Sequence, residues 1–383
     1  MKRHPVPASL HRETAKLIRL ALALQESGSQ LESQSWQVQV SKLIAHIFQK
    51  KQNETLEQAL DYLWTENPPA CELLAQQIEN YAESVVDAAD TDTVLIAIPL
   101  LVWSRYAIPS GQISKARLRE LRAALSVSLL ADNARLSLID VLFSPEQLPA
   151  GFVETRALLQ SMIPLAVDGQ DMHFDASDLL SSGEYVADVR YIFAAVVVDK
   201  GAPLFAWQQA EITQNEALQT WQLHTKDTMA ALLPGCHYQC LLPNAFFSAW
   251  RKLEYEARAF SLRAAVSYLC EVLELTPQGL RAVIAPFYDK VLEEYRIGFG
   301  LPKSSQVLHG VTWPLIGDES EETDVVSQIE AELVGIGKIV VLTTAMPMEY
   351  CDDCGTQLFP NADAELIHPE MPEPATPVPT HLH

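Results

Sequence analysis

Leu136-Ser137-Leu138-Ile139-Asp140-Val141-Leu142-Phe143 is where the chain changes texture. Before it, apolar residues return every three or four positions; within it they alternate and then run together, which is the pattern of a strand. The elements after it follow a recognisable order. Phe152 to Val167 has helical spacing, and Val189 to Val198 with Pro203 to Trp207 reads as a hairpin turned by Asp199-Lys200-Gly201. A helix from Asn215 to Leu233 stops at Pro234-Gly235, and Cys236 to Leu242 is a further strand. The order β-α-β-β-α-β is that of a ferredoxin-like sandwich.

The order then recurs with additions. A helix from Phe246 to about Leu275 precedes strands near Leu280 to Pro286, Val291 to Phe299 and Gln306 to Pro314, then a helix from Asp324 to Val334 and a strand from Lys338 to Ala345. Pro243 and Pro347 end the two last strands (347 − 243 = 104), and Gly235 and Gly337 precede them (337 − 235 = 102). This spacing implies an internal duplication. Upstream, residues 9 to 132 read as helices: Leu17, Leu20, Ala21 and Leu24 share one face, as do Val40, Leu43, Ile44 and Ile47. Asn67-Pro68-Pro69 separates two further helices.

The fold class expected is therefore α+β, an N-terminal helical domain followed by two fused ferredoxin-like sandwich units. The boundaries are 1–132 for the helical domain, 133–243 and 244–347 for the two units, and 348–383 for a metal knuckle with a proline-rich tail.

Against 27 Lys and Arg stand 49 Asp and Glu, a formal charge of −22. Such a surface repels phosphate backbones and anionic lipid, so neither nucleic acid nor membrane is an expected partner. The apolar run Val94 to Trp103 is ten residues long, half of the ~20 a membrane helix needs, and reads as a buried element. Met1-Lys2-Arg3-His4-Pro5 leads into a charged amphipathic segment rather than a signal peptide, which points to the cytoplasm. In a reducing cytoplasm the six cysteines suit a metal better than disulfides.

Chemistry concentrates near the C-terminus, in Tyr350-Cys351-Asp352-Asp353-Cys354-Gly355. Two cysteines at this spacing can turn both sulfurs to one cation, and the glycine permits the turn. Asp352 and Asp353 between the thiols oppose thiolate formation, which argues against a redox pair. The expected ion is a structural zinc, bound by Cys351, Cys354, His381 and His383. His368, on the return strand of the knuckle, is an alternative ligand, and Cys236 with Cys240 is another, although residues four apart on a strand stand about 13 Å from each other.

Other clusters are less specific. Lys115, Arg117, Arg119 and Arg122 on one helix, with Arg105 before it, offer either an anion site or a solvated face. Asp171, His173, Asp175 and Asp178 place an imidazole near carboxylates, as a general base would need. The acidic loop Gly317 to Asp324 suits a helix start. No phosphate-binding, nucleophile-elbow or metalloprotease motif occurs.

Trp103 to Gly111, Ser144 to Pro149, Phe152 to Arg156, Tyr350 to Gly355, Leu358 to Asn361 and the ending His381-Leu382-His383 resemble an uncharacterised bacterial family of unknown function. The resemblance implies a bacterial cytosolic protein and adds no activity or cofactor. The expectation is a non-enzymatic assembly or interaction protein that self-associates. The alternative is a regulatory module binding a small molecule between the two α+β units.

Overall fold

The computed structural model describes residues 10–86, 90–179, 186–209 and 211–371. It opens with four helices, α1 (Arg12–Gln25), α2 (Gln30–Gln49), α3 (Asn53–Glu66) and α4 (Pro68–Glu83). Their starts follow from local chemistry. The Ser29 side chain accepts from the Glu32 amide, and Asn67 from the Ala70 amide with Pro68 at the first position of α4. Leu17, Ile18, Ile44, Ile47, Leu56, Leu63 and Ile78 close one core among them.

Next come β1 (Ser84–Val86), β2 (Thr91–Trp103), β3 (Gly111–Gln112), α5 (Lys115–Ser128), β4 (Arg135–Leu138) and β5 (Val141–Leu142). They lead to α6 (Phe152–Val167), β6 (Ala187–Asp199), α7 (Gln214–Leu232), β7 (His237–Cys240) and β8 (Asn244–Ala245). The first sheet runs β4-β6-β2, and the far side of β2 is shared by β1, β8 and β7. The apolar run at Val94 to Trp103 is thus a strand at the heart of a sheet, inside the span expected to be helical. Even-numbered Ile96, Ile98, Leu100 and Val102 enter one core, while odd-numbered Leu95, Ala97, Leu101 and Trp103 enter another. A strand buried on both faces loses the apolar–polar alternation by which strands are recognised.

Pro99 sits in the middle of this strand. Its carbonyl accepts from the Leu241 amide at 3.1 Å, on the side where the neighbour changes from β8 to β7. The missing N–H therefore falls at a break in the partner chain, where a proline is tolerated.

The expected hairpin from Val189 to Trp207 does not form. Its turn exists, with Gly201 at φ 71° and the Ala202 amide bonded to the Asp199 carbonyl, but the chain beyond pairs with the end of α5. Leu204 and Ala206 bond Ala131 and Leu129, and β6 pairs along its whole length with β2. The first sheet therefore takes its pairings from β2, β4, β6 and β7 rather than from a 189–207 hairpin.

α8 (Phe246–Leu273) leads into β9 (Arg281–Tyr288), β10 (Leu292–Gly300), β11 (His309–Pro314), α9 (Val325–Glu332), β12 (Lys338–Val341) and β13 (Met346–Pro347). This segment matches its sequence reading closely. The second sheet runs β11-β10-β9-β12, antiparallel except that β12 and β13 lie parallel to β9. By contrast β7 is antiparallel to β2. Phe246, Leu253 and Phe260 of α8 pack into the first sheet's core, and Leu262, Ala265 and Leu269 into the second's.

The acidic loop before α9 does more than face water. Asp324 caps the helix at the Ser327 amide, while Glu319 takes both guanidinium nitrogens of buried Arg258, at 2.6 and 3.1 Å. The last elements are two short strands, β14 (Phe359–Pro360) and β15 (Leu366–Ile367), paired as a hairpin.

Candidate metal centre

Residues 349–358 form a tight loop closed at its base, where the Leu358 amide donates to the Glu349 carbonyl. Tyr350 bridges Gln357, the Cys351 amide donates to Thr356 O at 2.7 Å, and the Gly355 amide donates to Cys351 O at 2.8 Å. Gly355 has φ 73°, a conformation glycine adopts without penalty. The turn brings Cys351 and Cys354 to one side.

A second hairpin supplies the third side chain. Buried Asn361 follows β14, and its Oδ1 accepts from the amides of Asp363 and Glu365, both at 2.9 Å. That turn sends β15 back along β14 and places His368 beside the knuckle, with Nε2 3.3 Å from Cys354 Sγ. The ligand atoms of Cys351, Cys354 and His368 all lie within 4.8 Å of one another. Tetrahedral bonds of ~2.3 Å to sulfur and ~2.0 Å to nitrogen put ligand atoms about 3.5–3.8 Å apart, so small side-chain rotations suffice to hold an ion.

Electrostatics favour coordination. The Cys354 thiol is brought down to about 6, first by the Thr356 hydroxyl, 3.2 Å away, then by the Thr356 amide and the His368 imidazole. Expecting Asp352 and Asp353 to suppress the thiolate overlooked these donors, which act at contact distance. His368 Nδ1 is buried without a hydrogen-bond partner, 3.6 Å from a Glu370 carboxylate oxygen. Metal-bound histidines commonly turn their second nitrogen to such a carboxylate.

The centre is seated on the second sheet. Arg296 of β10 is fully buried, bonded to Glu294 at 2.6 Å, and donates to the carbonyls of Glu349 and Leu358, at 2.9 and 2.8 Å. It therefore holds both ends of the knuckle. Gly298 and Gly310 leave room for β14: a Cβ would lie 2.2 Å from Pro360 O at the first and 2.4 Å from the Phe359 ring at the second.

Of the residues read from the sequence, Cys351 and Cys354 are brought together, and the alternative ligand His368 joins them. His381 and His383 lie outside the described residues. Cys236 and Cys240 do not join the cluster: Cys240 is buried in β7, in the other sheet, and burial pushes its thiol up to about 12. Thr356, Glu370 and Arg296 were missed, because hydroxyl, carboxylate and guanidinium act here through positions the sequence leaves far apart.

His173 does not meet Asp175. Its Nδ1 pairs with Asp140 at 2.7 Å, Asp175 instead caps a short turn at the Ser177 amide, and the Asp178 side chain lies outside what the structure describes. Arg117 pairs with Glu120, and Arg122 with Asp171.

Fold and centre together define a mixed helix-and-sheet protein with a Cys2His cluster, able to hold a metal, on its C-terminal hairpins. No described helix is long and apolar enough to cross a membrane. The chain belongs to the family described as "Protein of unknown function (DUF2863)", whose match runs over residues 2–382. No curated protein and no solved structure matches it.

Proposed function

We propose that this is a non-enzymatic assembly or interaction protein of the bacterial cytoplasm, its C-terminal hairpins fixed by a structural zinc ion. The single observation that carries the proposal is the convergence of Cys351, Cys354 and His368 within 4.8 Å. Two thiolates and an imidazole suit zinc. A tail histidine, His381 or His383, completes the tetrahedron, and four protein ligands leave no open position for catalysis. Self-association is supported by α2, where Leu31 and Val38 stand seven residues apart at 80% and 53% exposure. The partner is a second copy; a charge of −22 disfavours nucleic acid.

Elemental analysis of purified protein tests the ion. One zinc per chain is expected, lost in Cys351→Ser and His368→Ala and weakened when His381 and His383 are both changed to Ala. A zinc-free protein of unchanged stability that is strictly monomeric by light scattering overturns the proposal.

The duplication reading also has support. Asp188-x-Arg190 and Glu294-x-Arg296 lie 106 residues apart (296 − 190) on β6 and β10. Each arginine is fully buried, pairs with the acid two residues before it, and holds two loop carbonyls.

A second reading, a small-molecule regulatory module, is favoured by a cavity of about 220 Å³ between β6, α8 and β11, lined by Ala187, Ser261, Ala265, His309 and Thr312. Burial takes the His309 imidazole down to about 4, so it meets a ligand uncharged. Thermal shifts across a metabolite panel test it, since a ligand at a hundred times its Kd adds about 2.7 kcal/mol. Shifts abolished by His309→Phe support it, and none across the panel rejects it.

A further inference from the structure

A cleft of about 650 Å³ opens between the first two turns of α5 and residues 171–173, far from the metal centre in sequence and in a different sheet. Its volume is that of a pocket for a small organic molecule. Lys115, Leu118 and Arg119 form one wall, and Asp140, Asp171, Met172 and His173 the other. The wall at 171–173 is rigid, because Met172 exchanges backbone hydrogen bonds with Leu138 and Asp140 along the sheet edge.

Both acids of the cleft are already occupied. Asp171 binds Arg122 and the Leu138 amide, while Asp140 accepts from His173 Nδ1 at 2.7 Å and from the Phe174 amide at 2.9 Å. The two cations are not. Arg119 Nε reaches only the Lys115 carbonyl, at 3.3 Å, and no described carboxylate pairs with Lys115 or Arg119. Four residues apart on a helix, they share one face and can bracket a single group.

His173 completes the arrangement. With Nδ1 committed to buried Asp140 its ring is fixed in orientation, and Nε2 remains for a ligand; the side chain is 78% exposed. Leu118 and Met172 add apolar surface. In a chain of charge −22, a cleft whose acids are neutralised internally and whose cations are free is a local attractor for anions.

We infer that this cleft binds a small organic phosphate, its phosphoryl group between Lys115, Arg119 and His173 Nε2 and its apolar body against Leu118 and Met172. Lys115 and Arg119 donate to two phosphoryl oxygens, and His173 Nε2, with the ring hydrogen on Nδ1 facing Asp140, accepts the O–H of a monoprotonated phosphate; a carboxylate has only two oxygens and no such hydrogen. Arginine and lysine are both suited to phosphate oxygens.

Calorimetric titration of the full chain with phenyl phosphate tests this, with phenol and benzoate as comparators. Saturable binding of phenyl phosphate, stronger than that of benzoate and absent for phenol, is expected. Lys115→Ala and Arg119→Ala each weaken it about tenfold or more, as loss of a charge-assisted hydrogen bond does, and His173→Asn also weakens it. Both cations are exposed, so these variants keep the fold, which circular dichroism checks. Arg117→Ala removes a cation of the same helix that pairs with Glu120, and leaves affinity unchanged. The inference is overturned if phenyl phosphate binds no tighter than about 1 mM, if benzoate matches it, or if Arg117→Ala weakens binding as much as Arg119→Ala.

Discussion

Replacing Arg296 with methionine removes the clamp beneath the knuckle while keeping most of the volume of the side chain. Three oxygen acceptors lose their donor, buried Glu294, Glu349 O and Leu358 O, as does the weaker acceptor Met348 Sδ. Glu349 O keeps the Leu358 amide, so one carbonyl and one carboxylate are stranded. A stranded carbonyl costs about 1–3 kcal/mol, and breaking a buried ion pair costs about 3–5 kcal/mol, much of it from the charge left behind. These penalties overlap, and about 4 kcal/mol is the working figure. A chain of this length need not unfold in one step, so the measurement should be local. Hydrogen exchange at the amides of Cys351, Gly355 and Leu358, all bonded within the knuckle, reads its opening directly. These amides should exchange on the order of several hundredfold faster, at tenfold per ~1.4 kcal/mol, while those of α1 to α4 stay as they were. Adding Glu294→Gln removes the stranded charge and should recover part of the loss. Knuckle exchange that rises less than about threefold, equivalent to ~0.7 kcal/mol, would refute the clamp.

Arg190→Met should act the same way in the first sheet, loosening the 104–110 loop whose Ile108 and Pro109 carbonyls Arg190 holds at 2.9 and 2.7 Å; faster exchange confined to that loop is the readout. Gly310→Ala puts a Cβ 2.4 Å from the Phe359 ring and should destabilise the docking of β14 by about 1–3 kcal/mol, seen as faster exchange at Asn361 and Leu358. Glu83 caps the start of α8 by accepting from the Phe247 amide, and burial raises its carboxyl from 4.5 to about 7. The folded state therefore holds this proton more tightly, and the stability it contributes is present below about 4.5 and lost as pH rises to about 7. Glu83→Gln should be stabilising at pH 8, by up to about 3 kcal/mol, and neutral at pH 4 in urea titrations.

The second half of the fold was legible because its signals are local. β9 to β12 follow one another along the chain, joined by a turn, loops and one helix, so periodicity and turn residues almost suffice. The first half was not. β2 carries no alternation, since Leu95 and Ile96 serve opposite cores, and its partner β6 lies nearly a hundred residues away. A real turn at Gly201 then suggested a hairpin that the end of α5 outcompetes. The centre divides likewise. Two cysteines three residues apart announce themselves, whereas His368 depends on the Asn361 turn and on glycines that let β14 settle. His173 was visible as an imidazole among acids, but its partner Asp140 is 33 residues upstream, beside it only because 171–173 lines the sheet edge.

α8 extends over 28 residues, about 42 Å, with its first half in one core and its second half in another. The two sheets therefore have no clean point of division. Cutting the chain before Phe246 strips the first sheet of Phe246, Leu253 and Phe260; cutting after Leu273 exposes Leu262 and Leu269 to water. The helix is a shared wall: whichever side of it a cut falls, one of the two sheets is left with an open core.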